Sequence, residues 1–197
     1  MKRILFLLLG LVTVLGPARP CFSQTKDTLT TIHARKSVRH YTGQPVSKKD
    51  LEALVKAGMA APTAMDRRPW AFVVVSDEAA LRQLAQGLPY AQMILQAKSA
   101  IVVCGVMNKA GNGEARDFWI QDCSAATENI LLAAEAIGLG AVWTGVYPST
   151  QRVDHVQKTL GIPRDVVPLN VIAVGYPTGE DRPKDKFDPT NIHWDKW

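Results

Sequence analysis

The chain has 197 residues, 47% apolar and 21% charged, enough apolar material to bury a sizeable core and too much for a disordered segment. Its formal charge is +5, but Lys2, Arg3 and Arg19 supply three of those charges, and the two that remain without them are too few to argue for nucleic acid as a partner. Three cysteines and four scattered histidines, none at paired ligand spacing, speak against a disulfide framework and against a metal centre.

The N-terminus opens with "MKR", continues into the 12-residue apolar run "ILFLLLGLVTVL", and reaches the breakers and small residue of "GPARPCFSQ". That run is too short to cross a bilayer, and its flanks are those of a secretory leader. Residues 1–24 are therefore expected to be a signal peptide, leaving 25–197 as one exported, periplasmic domain with no stable membrane anchor after cleavage. The "ARP" before Cys21 lacks the small residues that lipoprotein processing expects. Of the cysteines left, Cys104 lies in a strand-like run and Cys123 in a helical one, and both read as ordinary buried thiols.

Beyond the leader the chain alternates helices and strands. "DTLTTIH" reads as a helix start. In "SKKDLEALVKAGMAA" (47–61) Ser47 stands three residues before Asp50, and Leu51, Leu54, Val55 and Met59 recur at helical spacing. A β-branched strand spans 71–76, and Asp77 is placed to cap the helix after it. A second strand (99–106) leads through the Gly/Asn-rich loop "NKAGNGEA" into a long helix from about 114 to 137, which Gly138 is placed to end. A third strand (141–146), a helix between Ser149 and Gly161, and a fourth strand stopping at Pro177 complete a set of helices around a central sheet.

Two basic clusters bracket this fold. "ARKSVRHY" carries Arg35, Lys36 and Arg39 around the hydroxyl of Ser37, and "GEDRPKDK" carries Arg182, Lys184 and Lys186 after the last strand. Each alone reads as a solvated face. Together, and interrupted by acidic residues, they suit one compact dianion better than a polyanion, because the planar guanidinium donates two bonds at once to a phosphate.

Four landmarks in order, "RKSVR", "APTAMDRRPW", "GLGAVWTG" and "VGYPTGEDRPKDK", make residues 30–197 resemble the nitroreductase family of flavin mononucleotide (FMN) oxidoreductases. The resemblance implies an α+β fold with a central mixed, mainly antiparallel sheet flanked by helices, in an intertwined homodimer. It implies that Arg35, with Lys36 beside it and with Lys184 and Lys186, holds the FMN phosphate. Ser37 would bond the ribityl chain or the pyrimidine edge, and Arg39 would lie near flavin N1 and O2. Pro62, Thr63 and Ala64 would reach the flavin from the partner subunit, and the backbone N–H groups around Thr144 and Gly145 would face N5 and O4. Asp66 and Arg68 stand where the family often carries Asn and Gln, so they are secondary candidates, with a contact between the two as compensation.

The activity implied is a ping-pong hydride transfer through flavin N5 to a nitroaromatic, quinone or similar small electron acceptor, with NAD(P)H as electron donor and no residue acting as obligatory acid, base or nucleophile. Phe118, Trp119 and Tyr147 are either core residues or a roof over the ring. The alternative is a non-enzymatic flavin-binding or redox-storage protein of the cell envelope. "GLGAVW" is no nicotinamide fingerprint, since it lacks the third glycine and ends a helix where such a motif would open one.

Overall fold

The structure is a computed structural model and describes residues 27–197; the expected leader lies outside the described residues. Six helices are present: α1 (Thr28–Ala34), α2 (Lys48–Met59), α3 (Glu78–Gly87), α4 (Ile94–Ala97), α5 (Phe118–Ala136) and α6 (Thr150–Leu160). They surround strands β1 (Trp70–Val75), β2 (Ala100–Val106), β3 (Gly140–Gly145) and β4 (Val166–Gly175), which form one sheet in the order β1-β2-β4-β3. Every strand pair is antiparallel. The sheet, expected to be mixed and mainly antiparallel, is antiparallel across its four strands, and the parallel element among the described residues is an isolated bridge from Ser37 to Ala141.

The period-2 alternation of a strand divides the core into two layers. From β2, Ala100, Val102 and Cys104 face α3, α4 and α6, in a cluster with Leu81, Leu84, Ile94 and Val156. Ile101 and Val103 face the other way and pack with Leu54 of α2 and with Ile130 and Ala134 of α5. Both faces of β2 are thus covered, which explains why its sequence is continuously apolar.

The helix caps follow from short polar side chains. Ser47 Oγ accepts the Asp50 N–H at 3.1 Å and donates to Asp50 Oδ2 at 2.7 Å, and Asp77 accepts the Ala80 N–H at 2.8 Å, as the sequence predicts. Gly138 follows α5 with φ of 81°, the left-handed stop expected of it. The start of that helix is different: Gly113–Asp117 is a 3-10 turn, and the α-helix begins only at Phe118.

Strand β4 runs from Val166 to Gly175, stopping just before the end expected at Pro177. Pro168, which lacks an N–H, sits at a register shift opposite Val103 and Cys104, where a bulge tolerates it. The two cysteines are free and buried, with Cys123 Sγ 3.5 Å from the Cys104 carbonyl. Burial pushes the Cys104 thiol up to about 12 and raises Cys123 further, so both stay inert thiols.

Val38 is the wedge that seats the first basic cluster. It is buried, its N–H donates to the Ala141 carbonyl at 3.1 Å, and a Cβ added at Gly140 would lie 2.6 Å from its Cγ1. Gly140→Ala is therefore expected to cost about 1–3 kcal/mol by overpacking against Val38. Urea unfolding measures it, and a wild-type midpoint would show that Val38 moves aside freely.

Candidate functional site

The first basic cluster lies on an extended segment held by backbone pairing. Val38 bonds to Ala141 of β3, Thr42 N–H reaches the Tyr176 carbonyl at 2.9 Å, and Thr178 N–H reaches His40 O at 3.1 Å. Isolated bridges tie Ser37 to Ala141 and Tyr41 to Pro177. Tyr41 is buried and its hydroxyl donates to Val38 O at 2.7 Å; burial, with the Asp181 carboxylate nearby, holds its pKa well above the usual phenol range. The segment thus lies against both the edge strand β3 and the chain leaving β4, and that placement brings the second cluster to it.

Both clusters line one cleft of about 540 Å³, with Arg35, Ser37, Arg39, Arg182, Lys184 and Lys186 on its walls. An adjoining cleft of about 530 Å³ shares Arg35, Lys184 and Lys186. The cations differ in how far the protein itself neutralises them. Arg35 Nε lies 3.1 Å from Glu128 of α5, whose side chain is half exposed. Lys36 also lines the cleft, but its ammonium lies 2.9 Å from the nearly buried Glu135 and ties the segment to α5. For Lys184, Lys186 and Arg39 no carboxylate lies within ion-pair distance among the described residues.

Arg39 also lines a third cleft, of about 380 Å³, together with Tyr90, Met93, Trp143, Thr144, Gly145 and Arg152. A cationic cleft and a partly aromatic one are therefore joined at one guanidinium. A larger cleft, about 620 Å³ beside α6, contains none of the residues singled out by sequence.

Pro62, Thr63 and Ala64 line none of these clefts. They are fixed from behind, where the buried carboxylate of Asp122 accepts the Ala64 N–H at 2.8 Å. Asp66 and Arg68 do form the compensating contact. Arg68 Nε and Nη2 donate to the two Asp66 oxygens at 2.7 and 2.6 Å, and these bonds hold the exposed Asp66 carboxyl below its ordinary range. Met65, Asp66 and Arg68 have φ of 53°, 51° and 49°, values that non-glycine residues rarely adopt, with Arg67 between them in the ordinary right-handed region. Trp119 is core, stacked edge-on to Tyr147 at 5.0 Å, whereas Phe118 and Tyr147 are partly exposed.

Two residues of the site escaped the sequence reading. Arg152 is hidden in a helical pattern, although Ser149 as N-cap puts it in the first turn of α6, next to the end of β3. Asp181 looks like an acid interrupting a basic run. In the structure its Oδ2 accepts the N–H of Arg39 at 2.9 Å and of His40 at 3.2 Å, and both oxygens lie 3.3 Å from His40 Nδ1. Burial pushes the Asp181 carboxyl up, but the two backbone N–H groups and His40 outweigh it and hold the pKa below the usual value.

A depressed carboxyl stabilises the fold above the unfolded-state pKa and loses that contribution as pH falls through the folded-state value. Asp181→Ala is expected to cost about 1–3 kcal/mol near neutral pH, a cost that shrinks below pH ~4. Urea unfolding at about pH 6 and pH 3 checks it; a difference independent of pH would mean that the charge of Asp181 is not used.

The comparisons with known proteins follow this geometry. The family model for the nitroreductase family matches residues 32–88 and 85–176. A protein of Archaeoglobus fulgidus named "Putative NADH dehydrogenase/NAD(P)H nitroreductase" is 41% identical over 175 residues, covering 87% of this chain and 99% of its own. A crystal structure of the same name from Parabacteroides distasonis superposes with a TM-score of 0.82 at 50% identity, covering 86% of this chain and 98% of that one. An FMN-dependent nitroreductase from Clostridium difficile gives 0.78 at 26% identity, with coverage of 86% and 99%. The antiparallel sheet, the flanking helices and these matches lead to one conclusion: the chain belongs to the nitroreductase family.

Proposed function

We propose that the protein is an FMN-dependent oxidoreductase that passes hydride from NAD(P)H to a nitroaromatic, quinone or similar acceptor in a ping-pong cycle. The observation that carries this reading is the junction at Arg39 between a cationic cleft and a cleft with aromatic and backbone walls. A phosphorylated, planar heterocycle has that division of chemistry. The fit is supported by the donor set: Arg35, Lys184 and Lys186 suit a phosphate dianion, and Ser37 offers a hydroxyl between them and Arg39. Relatives bear names such as "NADPH-flavin oxidoreductase" in Vibrio harveyi and "FMN reductase (NADPH)" in Bacillus subtilis.

When bound, FMN would carry the electrons and accept hydride at N5. The chain's own part is to hold and to polarise. Lys184, Lys186 and Arg35 bind the phosphate, Ser37 the polar chain, and the backbone at Thr144 and Gly145 the far edge of the ring. Arg39 places a fixed cation at the pyrimidine edge, where it stabilises charge that grows during reduction more than it stabilises the oxidised state.

A homodimer belongs to this reading. Leu29, Ile32 and Ile137 at α1 and the end of α5, and Phe187, Trp194 and Trp197 in the C-terminal tail, are exposed apolar side chains that a second copy would cover. Pro62–Ala64, absent from the clefts of their own chain, are then free to complete those of the partner. The leader implies export, and no described helix is long and apolar enough to cross a membrane.

The visible spectrum of the purified protein tests the cofactor, and multiple turnovers with NADH and a quinone test the reaction. A flavin that is reduced once and does not turn over would mark the redox-storage alternative. Replacing Lys184 and Lys186 together by Ala is expected to weaken FMN at least ~100-fold and riboflavin much less, since each charge-assisted bond contributes about 1.5–3 kcal/mol. Fluorescence titration with both flavins decides this, and equal losses would assign the lysines to folding. Arg39→Gln is expected to retain FMN, to lower its midpoint potential and to slow reduction ~10- to 150-fold. Spectroelectrochemistry and stopped-flow reduction read both; an unchanged potential would place Arg39 away from the ring.

A further inference from the structure

Of the clefts joined at Arg39, the one that would receive the ring has an unusual charge composition. Its walls carry two guanidinium groups, Arg39 and Arg152, and not one carboxylate. The phosphate cleft next to it, by contrast, mixes its cations with Glu180 and Asp181. Among the described residues the Arg39 guanidinium makes a single long contact, from Nη1 to the Ser37 carbonyl at 3.4 Å, and in the flavin reading it answers the charge that reduction places on the cofactor. Arg152 is left over.

Its setting is against local electrostatics. Arg152 stands in the first turn of α6, where the helix dipole disfavours a cation. It is half-buried, so part of its hydration is lost. In return its guanidinium makes one hydrogen bond among the described residues, from Nη1 to the Gly145 carbonyl at 3.2 Å, and no ion pair. One of its five N–H donors is thereby used to fix the end of β3, and the guanidinium stays beside the cleft with its charge uncompensated. Tyr90 and Met93 supply the opposite kind of surface, an aromatic ring and a polarisable thioether suited to a flat ligand.

We infer that Arg152 is a specificity-determining residue which selects small aromatic acceptors carrying an anionic group, a carboxylate or a sulfonate, over their neutral counterparts. This rests on the flavin reading above and names the substrate class of that site. With the flavin ring seated in the cleft, the acceptor's ring lies over it at the mouth beside Tyr90 and Met93, its anionic substituent meets Arg152, and the Gly145 contact keeps the guanidinium from swinging out into solvent.

The test compares 4-nitrobenzoate with 4-nitrobenzamide in the FMN-loaded wild-type protein, in Arg152→Gln and in Arg152→Lys. The ratio of their kcat/KM values cancels any general loss of activity. The ratio is expected to favour the benzoate and to fall at least about fivefold in Arg152→Gln, the range between an exposed ion pair and a charge-assisted bond. The fall should come mainly through KM, with Arg152→Lys recovering a large part of it. The wild-type preference should also weaken as salt is raised. Calorimetric binding of 4-nitrobenzoate to the oxidised protein gives a readout free of turnover and should show the same loss.

A ratio unchanged by Arg152→Gln overturns the inference, as does a wild-type protein that fails to bind 4-nitrobenzoate. It is also overturned if the variant slows reduction by NADH while leaving the acceptor ratio intact, which would assign Arg152 to the phosphates of the donor. A colourless protein, in contrast, counts against the flavin reading itself.

Discussion

The candidate site depends on the backbone pairing that lays residues 37–42 along the edge of β3 and the exit of β4. Arg35 and Lys184 are far apart in sequence, and no local preference brings them together. The bonds from Val38, Thr42 and Thr178 do so with main-chain donors and acceptors, which leaves the side chains of Arg35, Ser37 and Arg39 to the cleft. Asp181 completes the join by accepting two N–H groups of the opposite segment at the point where the tail turns toward its lysines. An acid among clustered cations looks misplaced on charge alone. Its hydrogen bonds show that its work is to hold the cations' backbone in register.

The parts of this arrangement legible in sequence are those set by periodicity and short polar caps. Ser47, Asp77 and Gly138 mark helix ends because their chemistry is local, and the apolar run of β2 marks a strand covered on both faces. The start of β4 is less legible for an equally physical reason: a proline stops a regular ladder, but the irregularity opposite Cys104 accommodates Pro168 and the strand begins before it. The two basic clusters are visible as charge, and the family landmarks join them. Which cation each carboxylate takes is not visible. Nothing in "ARKSVRHY" says that Lys36 pairs with the buried Glu135 while Arg39 finds no acid, because Glu135 and Glu128 are brought there by the packing of α1 on α5. Arg152 is missed for the same reason, since its cleft is made by β3 and the loop before α4.

The resulting distribution of charge is graded. Lys36 is neutralised within the fold, Arg35 is shared with a half-exposed glutamate, and Arg39 and Arg152 have no acidic partner among the described residues. Desolvating a cation without a partner is unfavourable, so the fold supplies other constraints. Arg39 is held by the pairing of its own segment, and Arg152 by the helix cap and the Gly145 carbonyl. Two cations fixed in this way need little reorganisation when negative charge arrives, which is the condition under which electrostatic stabilisation is most effective. Lys36 in the same place would contribute less, because its attraction is already spent on Glu135.

The loop at Met65–Arg68 extends the same reasoning to a segment outside the clefts of its own chain. Three left-handed non-glycine residues are costly unless their surroundings impose them. Here Thr63 Oγ1 accepts the Arg68 N–H at 3.1 Å, the Asp66–Arg68 fork closes the turn, and Asp122 anchors Ala64 at its base. The Asp66–Arg68 ion pair provides donors and acceptors satisfied by each other, with the two charges cancelling. A loop so closed is stiff, and the charge it presents is that of the exposed Arg67, which stands between the two paired residues. In the proposed dimer it can then approach the partner's cleft with a charge of the same sign as Arg39 and Arg152.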